Sequence, residues 1–395
     1  MRVLTLLGWL AAAHVAQRAL QAWRDGSRAR RVPSGGGRNE EGSRGPAPGV
    51  SVIVPAWNDR DALDHTFPAL ARALGHYPGE VQLLVVAGGA DGSLSRARAL
   101  VQGLTAPNVG AAVLEQTPRG KNAALNQGLH AARHDVLVFL DADTAPEPDW
   151  LPALVGPIAR GEADATTGLF QPFRQTSVSG IFEVDQLASQ VIARRVTMFG
   201  GGSIALGRAA LERLGGELPE DVPVGVDWDL SQRLERAGAV LAFREAARVQ
   251  TEIAETWPEY RRGEVRWRRA YLRAQARHLR QDQRPARLLG LVYLPLLQGA
   301  LLLGWAAFPV AARLSGGRAR TGVWTWGLLT GWVLGRHAST CLGVYAYTRD
   351  PRWLRLTPAY LAGFLVSAAA AWQAILSPRR MSAQFKGQRL RRSTP

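Results

Sequence analysis

The run Asp135-Val136-Leu137-Val138-Phe139-Leu140 stops abruptly at Asp141-Ala142-Asp143. A continuous apolar run of strand length offers no wet face, so it must be covered on both sides. Val50–Val54 and Val81–Val86 have the same character, and Val109–Leu114 is a weaker version. Helical stretches separate them at Asp59–Leu74, from about Leu94, and at Asn122–Ala132. This strand-then-helix alternation, from Gly49 to about Thr256, predicts an α/β fold with a parallel-rich central sheet between helices. Ligands of such sheets bind beyond the carboxyl ends of the strands. Those ends carry Asn58-Asp59, Gly88 to Asp91 and Asp141 to Asp143, so polar and glycine residues converge on one edge.

Two carboxylates one residue apart, Asp141 and Asp143, can hold a hard divalent cation that also bridges phosphates. The same pair can equally form a turn or a cap. Asp227 opens a later helix; it can act as a general base near the same cleft or as a cap carboxylate favoured by the helix dipole. The Gly120-Lys121-Asn122 turn ahead of a helix is open to a capping reading too. Order, spacing and strand-end placement are what tie the three to chemistry. A metal, a diphosphate and a base are the working parts of a nucleotide-sugar transferase.

The rest of the chain carries a different signal. Its 395 residues hold a formal net charge of +16, nearly all from arginine. That excess suits nucleic acid, anionic lipid or a phosphate-bearing substrate. Its position beside apolar spans favours the cytoplasmic membrane surface. No recognisable nucleic-acid module accompanies it, so no nucleic-acid partner is expected. The single cysteine, Cys341, excludes an intrachain disulfide and reads as a small apolar filler.

Residues 1–23 read as an N-terminal membrane helix, with a signal peptide as the rival. Residues 24–48, rich in Gly, Ser and Arg, read as a flexible basic linker. Residues 49–257 form the α/β domain. Residues 258–285 mix arginines with Trp267, Tyr271 and Leu272, as an amphipathic interfacial helix does. Residues 286–377 hold three apolar segments, 287–312, 322–347 and 357–377, and 378–395 form a basic tail. The middle segment carries Arg336, His337, Ser339 and Thr340 at a depth where charge is expensive. A cytoplasmic domain and a cytoplasmic tail need an even number of spans between them. One segment, 322–347, is therefore expected to be re-entrant or broken. The expected location is the inner cell membrane, multi-pass, with the α/β domain in the cytoplasm.

Over roughly 49–270 the chain resembles the family 2 glycosyltransferases, inverting enzymes with a GT-A fold. The resemblance rests on several motifs in family order. Val52 to Asp59 resembles the opening strand and loop that hold the nucleoside; it implies donor contacts from Pro55, Asn58 and Asp59. Arg119 to Asn126 is similar to the family's GK-x-x-ALN stretch, which implies that Lys121 faces the diphosphate. Asp141-Ala142-Asp143 matches the metal-binding DxD and implies Mn2+ or Mg2+ on Asp143 and Asp141, the latter also close to the donor. Asp227 to Leu234 matches the segment whose first Asp is the catalytic base. Arg266-Trp267 is similar to the end of Q-x-x-R-W, which implies donor contacts from both; Trp267 reads equally as an interfacial residue. Phe199 to Ser203 resembles the glycine segment near the acceptor, so Gly201, Gly202 and the neighbouring Trp228 are acceptor candidates. Phe385 to Arg389 is similar to the tail ending of lipid-directed members.

The chain also departs from the pattern. Val226 stands where Glu usually precedes the base, and Gly263 replaces the Gln of Q-x-x-R-W. The loop Ala87-Gly88-Gly89-Ala90-Asp91-Gly92-Ser93 replaces Asp-Asp-Gly-Ser, leaving Asp91 or the loop backbone to meet the nucleobase. The implied function is sugar transfer from a nucleotide-diphosphate donor, UDP- ahead of GDP-, to a membrane lipid. A processive polysaccharide synthase and a non-catalytic membrane scaffold are the competing readings.

Overall fold

The computed structural model describes residues 2–31, 47–116, 120–193, 199, 201–220, 225–281, 305, 307, 308, 310, 314 and 320–376. These fall into two compact units. A sheet unit lies within 34–173 and 195–253, and a helical unit within 1–33, 174–194 and 254–380. The expected domain 49–257 is thus interrupted, because 174–194 belongs to the helical unit.

Helix α1, Arg2–Arg31, is part of the helical unit. The sheet unit alternates β1 (Val50–Trp57), α2 (Arg60–His76), β2 (Val81–Gly88), α3 (Ser93–Gln102), β3 (Val109–Glu115), α4 (Lys121–Ala131) and β4 (Val136–Leu140). Alternate residues of these strands go to opposite faces, as the pleat requires. Val52, Val54, Leu83, Val85, Val138 and Leu140 pack with Leu63, Phe67 and Leu70 of α2. Ile53, Leu84, Val86, Leu137 and Phe139 pack on the other side with Leu125 and Leu129 of α4. Both faces are dry, which is why the runs lack polar alternation.

After β4 the alternation ends. The unit continues through β5 (Thr144–Pro146), α5 (Trp150–Ala159), β6 (Ala165–Pro172), β7 (Ser203–Gly207), α7 (Arg208–Glu212), α8 (Val226–Arg236) and β8 (Leu241–Thr251). Helix α6, Ser179–Gln186, and a π-helical turn, Leu187–Ile192, fall in the helical unit. The strand order is β3-β2-β1-β4-β7-β6-β8-β5. Strands β1, β2, β3 and β4 pair parallel, as do β6 and β8, while β7 is antiparallel to both β4 and β6 and β5 is antiparallel to β8. The sheet is therefore mixed and mostly parallel. Leu140 faces Ser203 across the β4–β7 ladder. The end of β4 consequently meets the start of β7.

The helical unit adds α9 (Trp257–Gln281), α10 (Arg320–Thr348), α11 (Arg352–Arg355) and α12 (Thr357–Leu376). Helix α1 does not stop at residue 23. It runs on through Arg31, so the first part of the expected linker is helical, and 32–46 lie outside the described residues. Packing explains the extension. Gly26 sits against the Gly343 carbonyl and the Ala346 side chain, close enough that a Cβ would not fit. Tertiary contact of this kind overrides the weak helix preference of Gly26 and Ser27.

Helix α10 corrects a second expectation. Segment 322–347 is neither re-entrant nor broken but lies inside one continuous helix. Its hydroxyls are satisfied locally: Ser339, Thr340 and Thr348 donate to carbonyls one turn back, at 2.6, 3.3 and 2.9 Å. A chain that bonds its own polar groups in this way has no need to unwind. Helices α1 and α10 run parallel, with Val15 against Gly335, Ala22 and Gly26 against Gly343, and the Trp23 ring 6.1 Å from that of Tyr345. Segment 287–312 and tail 378–395 lie mostly or wholly outside the described residues. Among the described residues, α12 is the one helix long and apolar enough to cross a membrane.

One glycine of the sheet unit is sterically obligatory. The β6–β8 register shifts between Gly168 and Leu169, and a Cβ on Gly168 would fall on the Ala247 carbonyl oxygen. Gly168→Val should destabilise the full chain by about 3 kcal/mol, the upper range for overpacking. Gly263→Ala, on α9 with open space around it, should stabilise by roughly 0.5 kcal/mol. Denaturant melts of the two variants beside wild type check both signs.

Candidate active site

Two loops at the carboxyl edge carry the expected nucleoside contacts. Pro55 is half-buried in β1, opposite Val86. Asn58 leaves the strand with φ 55°, a left-handed turn that Asn tolerates. Its Oδ1 accepts from the Ala90 N–H at 2.8 Å, and its own N–H donates to the Gly88 carbonyl at 3.2 Å. Gly89 has φ 105° and leaves no room for a Cβ beside Asn58. The pair explains why this loop needs glycine. Asp59 is buried; its Oδ2 accepts from the Trp57 N–H at 3.0 Å and its N–H donates to Ser93 Oγ at 2.8 Å.

Asp91 is occupied within its own loop. Oδ1 accepts from the Ser93 N–H and hydroxyl, at 2.9 and 2.6 Å, and Oδ2 from the Arg60 N–H at 3.0 Å. Partial burial pushes its carboxyl up, but these hydrogen bonds outweigh it and hold the group below its ordinary value. Asp91 therefore fixes the loop that joins β2 to α3. Trp57, which the sequence motif brought in only as a neighbour, is 37% exposed, with its ring edge packed over Gly88. It offers a flat apolar surface at this edge.

The second cluster forms where β4 meets β7. The Asp141 N–H donates to the Gly202 carbonyl at 3.0 Å. Lys121, the first residue of α4, reaches Asp141 Oδ1 at 2.5 Å and the Gly201 carbonyl at 3.1 Å. Asp227, in the first turn of α8, lies so close to Gly201 that a Cβ there would be 2.8 Å from its Oδ2. A Cβ on Gly202 would be 2.9 Å from the Thr144 hydroxyl. Both glycines are therefore required by close approach rather than by conformation. Asp143 is half-buried, and its carbonyl accepts from Thr251 Oγ1 at 3.4 Å. Thr66 of α2 donates to the Ala142 carbonyl at 2.6 Å, tying the helix after the first loop to the two carboxylates.

Asp227 is 6% exposed. Burial pushes its carboxyl up; Lys121 and the Trp228 N–H oppose this, Asp141 adds to it, and the net direction is upward. Its backbone carbonyl accepts from Ser231 Oγ at 2.6 Å, and Ser231 Oγ in turn accepts from the Phe199 N–H at 2.9 Å. Trp228 and Val226 are buried beside it.

The donor set fits a hard cation that shares its ligands with a substrate. Among the described residues no group of three or more His, Cys, Asp or Glu side chains could enclose a metal alone. Asp141 and Asp143 supply two carboxylates, and phosphate oxygens would have to supply further ligands, the usual arrangement for such cations.

Sequence reasoning overlooked a second use of the Lys121–Asn126 stretch. Asn126 accepts from the Leu218 N–H at 2.8 Å and donates to the Leu218 carbonyl at 2.9 Å, and Asn122 donates to the Pro219 carbonyl at 2.6 Å. One helix thus carries Lys121 and also grips the segment that precedes α8. Arg266 and Trp267 belong to the helical unit, on α9, with the guanidinium 5.5 Å from the indole ring and Trp267 44% exposed. The Phe385–Arg389 motif lies outside the described residues, as does Gly200.

A two-loop edge, a lysine–carboxylate pair and a buried aspartate thus come together on the mixed sheet. The model of the family described as glycosyltransferase like family 2 matches residues 47–270. The chain belongs to that family. It is 26% identical over 189 residues to a dodecaprenyl-phosphate galacturonate synthase of Rhizobium johnstonii, covering 45% of this chain and 54% of that protein. It is 30% identical over 115 residues to an undecaprenyl-phosphate 4-deoxy-4-formamido-L-arabinose transferase of Pseudomonas fluorescens, covering 28% of this chain and 33% of that one. The matches thus span about half or less of these curated relatives. The fold is similar to that of a mannosyltransferase from Pyrobaculum calidifontis solved with GDP-Man and Mn2+, with TM-score 0.57, 22% identity, and 93% of this chain and 99% of that one covered.

The raised Asp227 carboxyl makes a stability prediction. A carboxyl with a higher pKa folded than unfolded binds its proton more tightly in the fold. Its ionisation then costs stability, from nothing below its unfolded value near 3.9 to the full amount above the folded value. Without donor or metal, Asp227→Asn should melt higher than wild type at neutral pH. The difference should shrink as pH falls through the acidic range, and thermal melts across pH check it.

Proposed function

We propose that this chain is a metal-dependent inverting glycosyltransferase that moves a sugar from a nucleotide-diphosphate donor to a membrane lipid. The observation that carries the reading is the Lys121–Asp141 pair at 2.5 Å beside the buried Asp227. It sets a cation and a displaced-pKa carboxylate at one strand end, the two charges that a displacement at an anomeric carbon requires.

The nucleoside is held along the first edge, by the backbone and side chains around Pro55, Asn58, Asp59 and Asp91, with Trp57 as a stacking surface. UDP-sugars are expected ahead of GDP-sugars. Asp143 and Asp141 are the residues that would hold Mn2+ or Mg2+, which when bound neutralises charge on the leaving diphosphate. Asp227 takes the proton from an acceptor hydroxyl. That oxygen forms its bond to the anomeric carbon as the bond from the anomeric carbon to the diphosphate oxygen breaks, and the electron pair leaves with the diphosphate. Lys121 faces the growing negative charge as a compact ammonium. Attack and departure on opposite faces invert the centre. Gly201, Gly202 and Trp228 border the acceptor side.

Membrane placement follows from α12, from the arginines of α9 with the exposed Trp267, and from the basic end of α1. The domain is assigned to the cytoplasmic side of the inner membrane. Gly263 in place of Gln favours single additions over a processive synthase, and the retained Lys121, Asp141 and Asp227 favour an enzyme over a scaffold.

Membranes from expressing cells, Mn2+ and a panel of labelled UDP- and GDP-sugars test the reading. Label should enter a discrete extractable lipid. Asp227→Asn should lower that transfer roughly 10²–10⁴-fold, as loss of a general base does, and chelation should abolish it until Mn2+ or Mg2+ is restored. Label in an unextractable polymer would instead identify a synthase.

The pH profile gives a separate check. Transfer requires ionised Asp227, so the acidic limb of kcat/KM should lie above the ordinary carboxylate value of about 3.9. Lys121 favours the ionised form, so Lys121→Ala should move that limb to higher pH as well as lower the rate.

A further inference from the structure

Helices α1 and α10 are nearly free of charge along their apolar lengths. Arg18 is the one charged residue between Val3 and Trp23 at neutral pH, and Arg336 the one between Gly322 and Thr348. The parallel packing of the two helices brings this pair together. Arg18, Arg336, Val15 and Trp332 line a cavity of about 140 Å³. Val15 fits against Gly335 with no space for a Cβ, so the backbones approach closely beside the cavity that the two exposed arginines line.

Two guanidinium groups on one small cavity repel each other, and that repulsion is strongest where water is scarce. Among the described residues no carboxylate is ion-paired with either. The neighbouring His337 does not relieve the charge: its Nδ1 faces the Val333 carbonyl at 2.7 Å, and its ring packs on Tyr360 and Phe364. An anion shared between the arginines would remove the conflict, and the planar fork of each matches a phosphate. The volume is well below the roughly 300–1,000 Å³ of sites that enclose larger ligands. It suits a phosphate group and excludes a nucleotide sugar.

The surroundings distinguish a lipid phosphate from a free one. Leu20 and Leu334, within a turn of the two arginines, are 49% and 46% exposed. Closer to the shared end of the helices, Arg24, Arg28, Arg30 and Arg31 are exposed, and the Arg349 guanidinium lies 4.8 Å from the Trp23 ring. Exposed apolar side chains on both helices and a basic, aromatic collar towards their shared end are the pattern of a membrane-facing surface. We propose that Arg18 and Arg336, with Trp332 on the cavity wall, bind the phosphate of an anionic lipid. The inference takes from the proposed function only the membrane placement, extended here to α10 because it packs along α1.

The test uses the full chain in neutral maltoside micelles, titrated with phosphatidic acid bearing a fluorescent acyl chain and read by polarisation. It needs neither donor nor metal, so its failure is separable from failure of the transferase reading. Wild type should bind saturably, and Arg18→Gln and Arg336→Gln should each weaken binding roughly tenfold or more, the loss expected for a charge-assisted contact. Arg336→Lys, which keeps the charge and loses the fork, should weaken it by a smaller factor; it decides the matter if a Gln variant elutes as aggregate. The same probe without phosphate, a labelled diacylglycerol, should not bind. Unchanged binding in the variants, equal binding of the diacylglycerol, or displacement by equimolar inorganic phosphate would each overturn the proposal.

Discussion

The antiparallel ladder between β4 and β7 is the constraint on which the candidate site depends. In a purely parallel sheet every strand would deliver its carboxyl end to the same edge, and only loops after strands could contribute there. Because β7 runs the other way, the residues before it arrive at the edge instead. Gly201 and Gly202 are thereby set against Asp141, and the Asp141 N–H is anchored on the Gly202 carbonyl. The glycines then admit Asp227 and Thr144 at distances that any side chain would block.

That geometry makes an electrostatic balance. Asp227 is almost removed from water, which disfavours its charge, while Lys121 sits near enough to restore part of it. Lys121 is itself held by Asp141 and by the Gly201 carbonyl. A change at Lys121 or Asp141 therefore alters the ionisation of Asp227. Asn122 and Asn126 extend the coupling through backbone, since the helix that starts with Lys121 also grips residues 218 and 219 ahead of α8.

The parallel half of the sheet was legible because its strands are buried on both faces and read as unbroken apolar runs. Every strand expected up to Leu140 is present, and β1 and β2 simply run on into their loops. The remainder was not legible for physical reasons. Strands β5, β6, β7 and β8 are short, irregular or carry buried polar residues such as Thr166, Thr167 and Ser203, whose hydroxyls are satisfied only by partners distant in sequence. The continuity of α10 was missed because the expectation rested on the parity of spans and on charge at depth, whereas Ser339 and Thr348 bond to their own helix and leave it no need to break. The extension of α1 to Arg31 depends on Gly343, and no local pattern around Gly26 announces a partner so far along the chain.

That last contact has a consequence for how the molecule is made. The helical unit is assembled from stretches at both ends of the chain and one in the middle, with the sheet unit's segments synthesised between them. Chains fold as they emerge, amino end first. Helix α1 is therefore made well before α10, which carries the glycine face that receives it. Until α10 emerges, Gly26 lacks the backbone it packs on, and the described segments of the sheet unit are made before the helical unit is complete. Helix α1 is in this sense made early and packed late, and in the interval its apolar length needs another host.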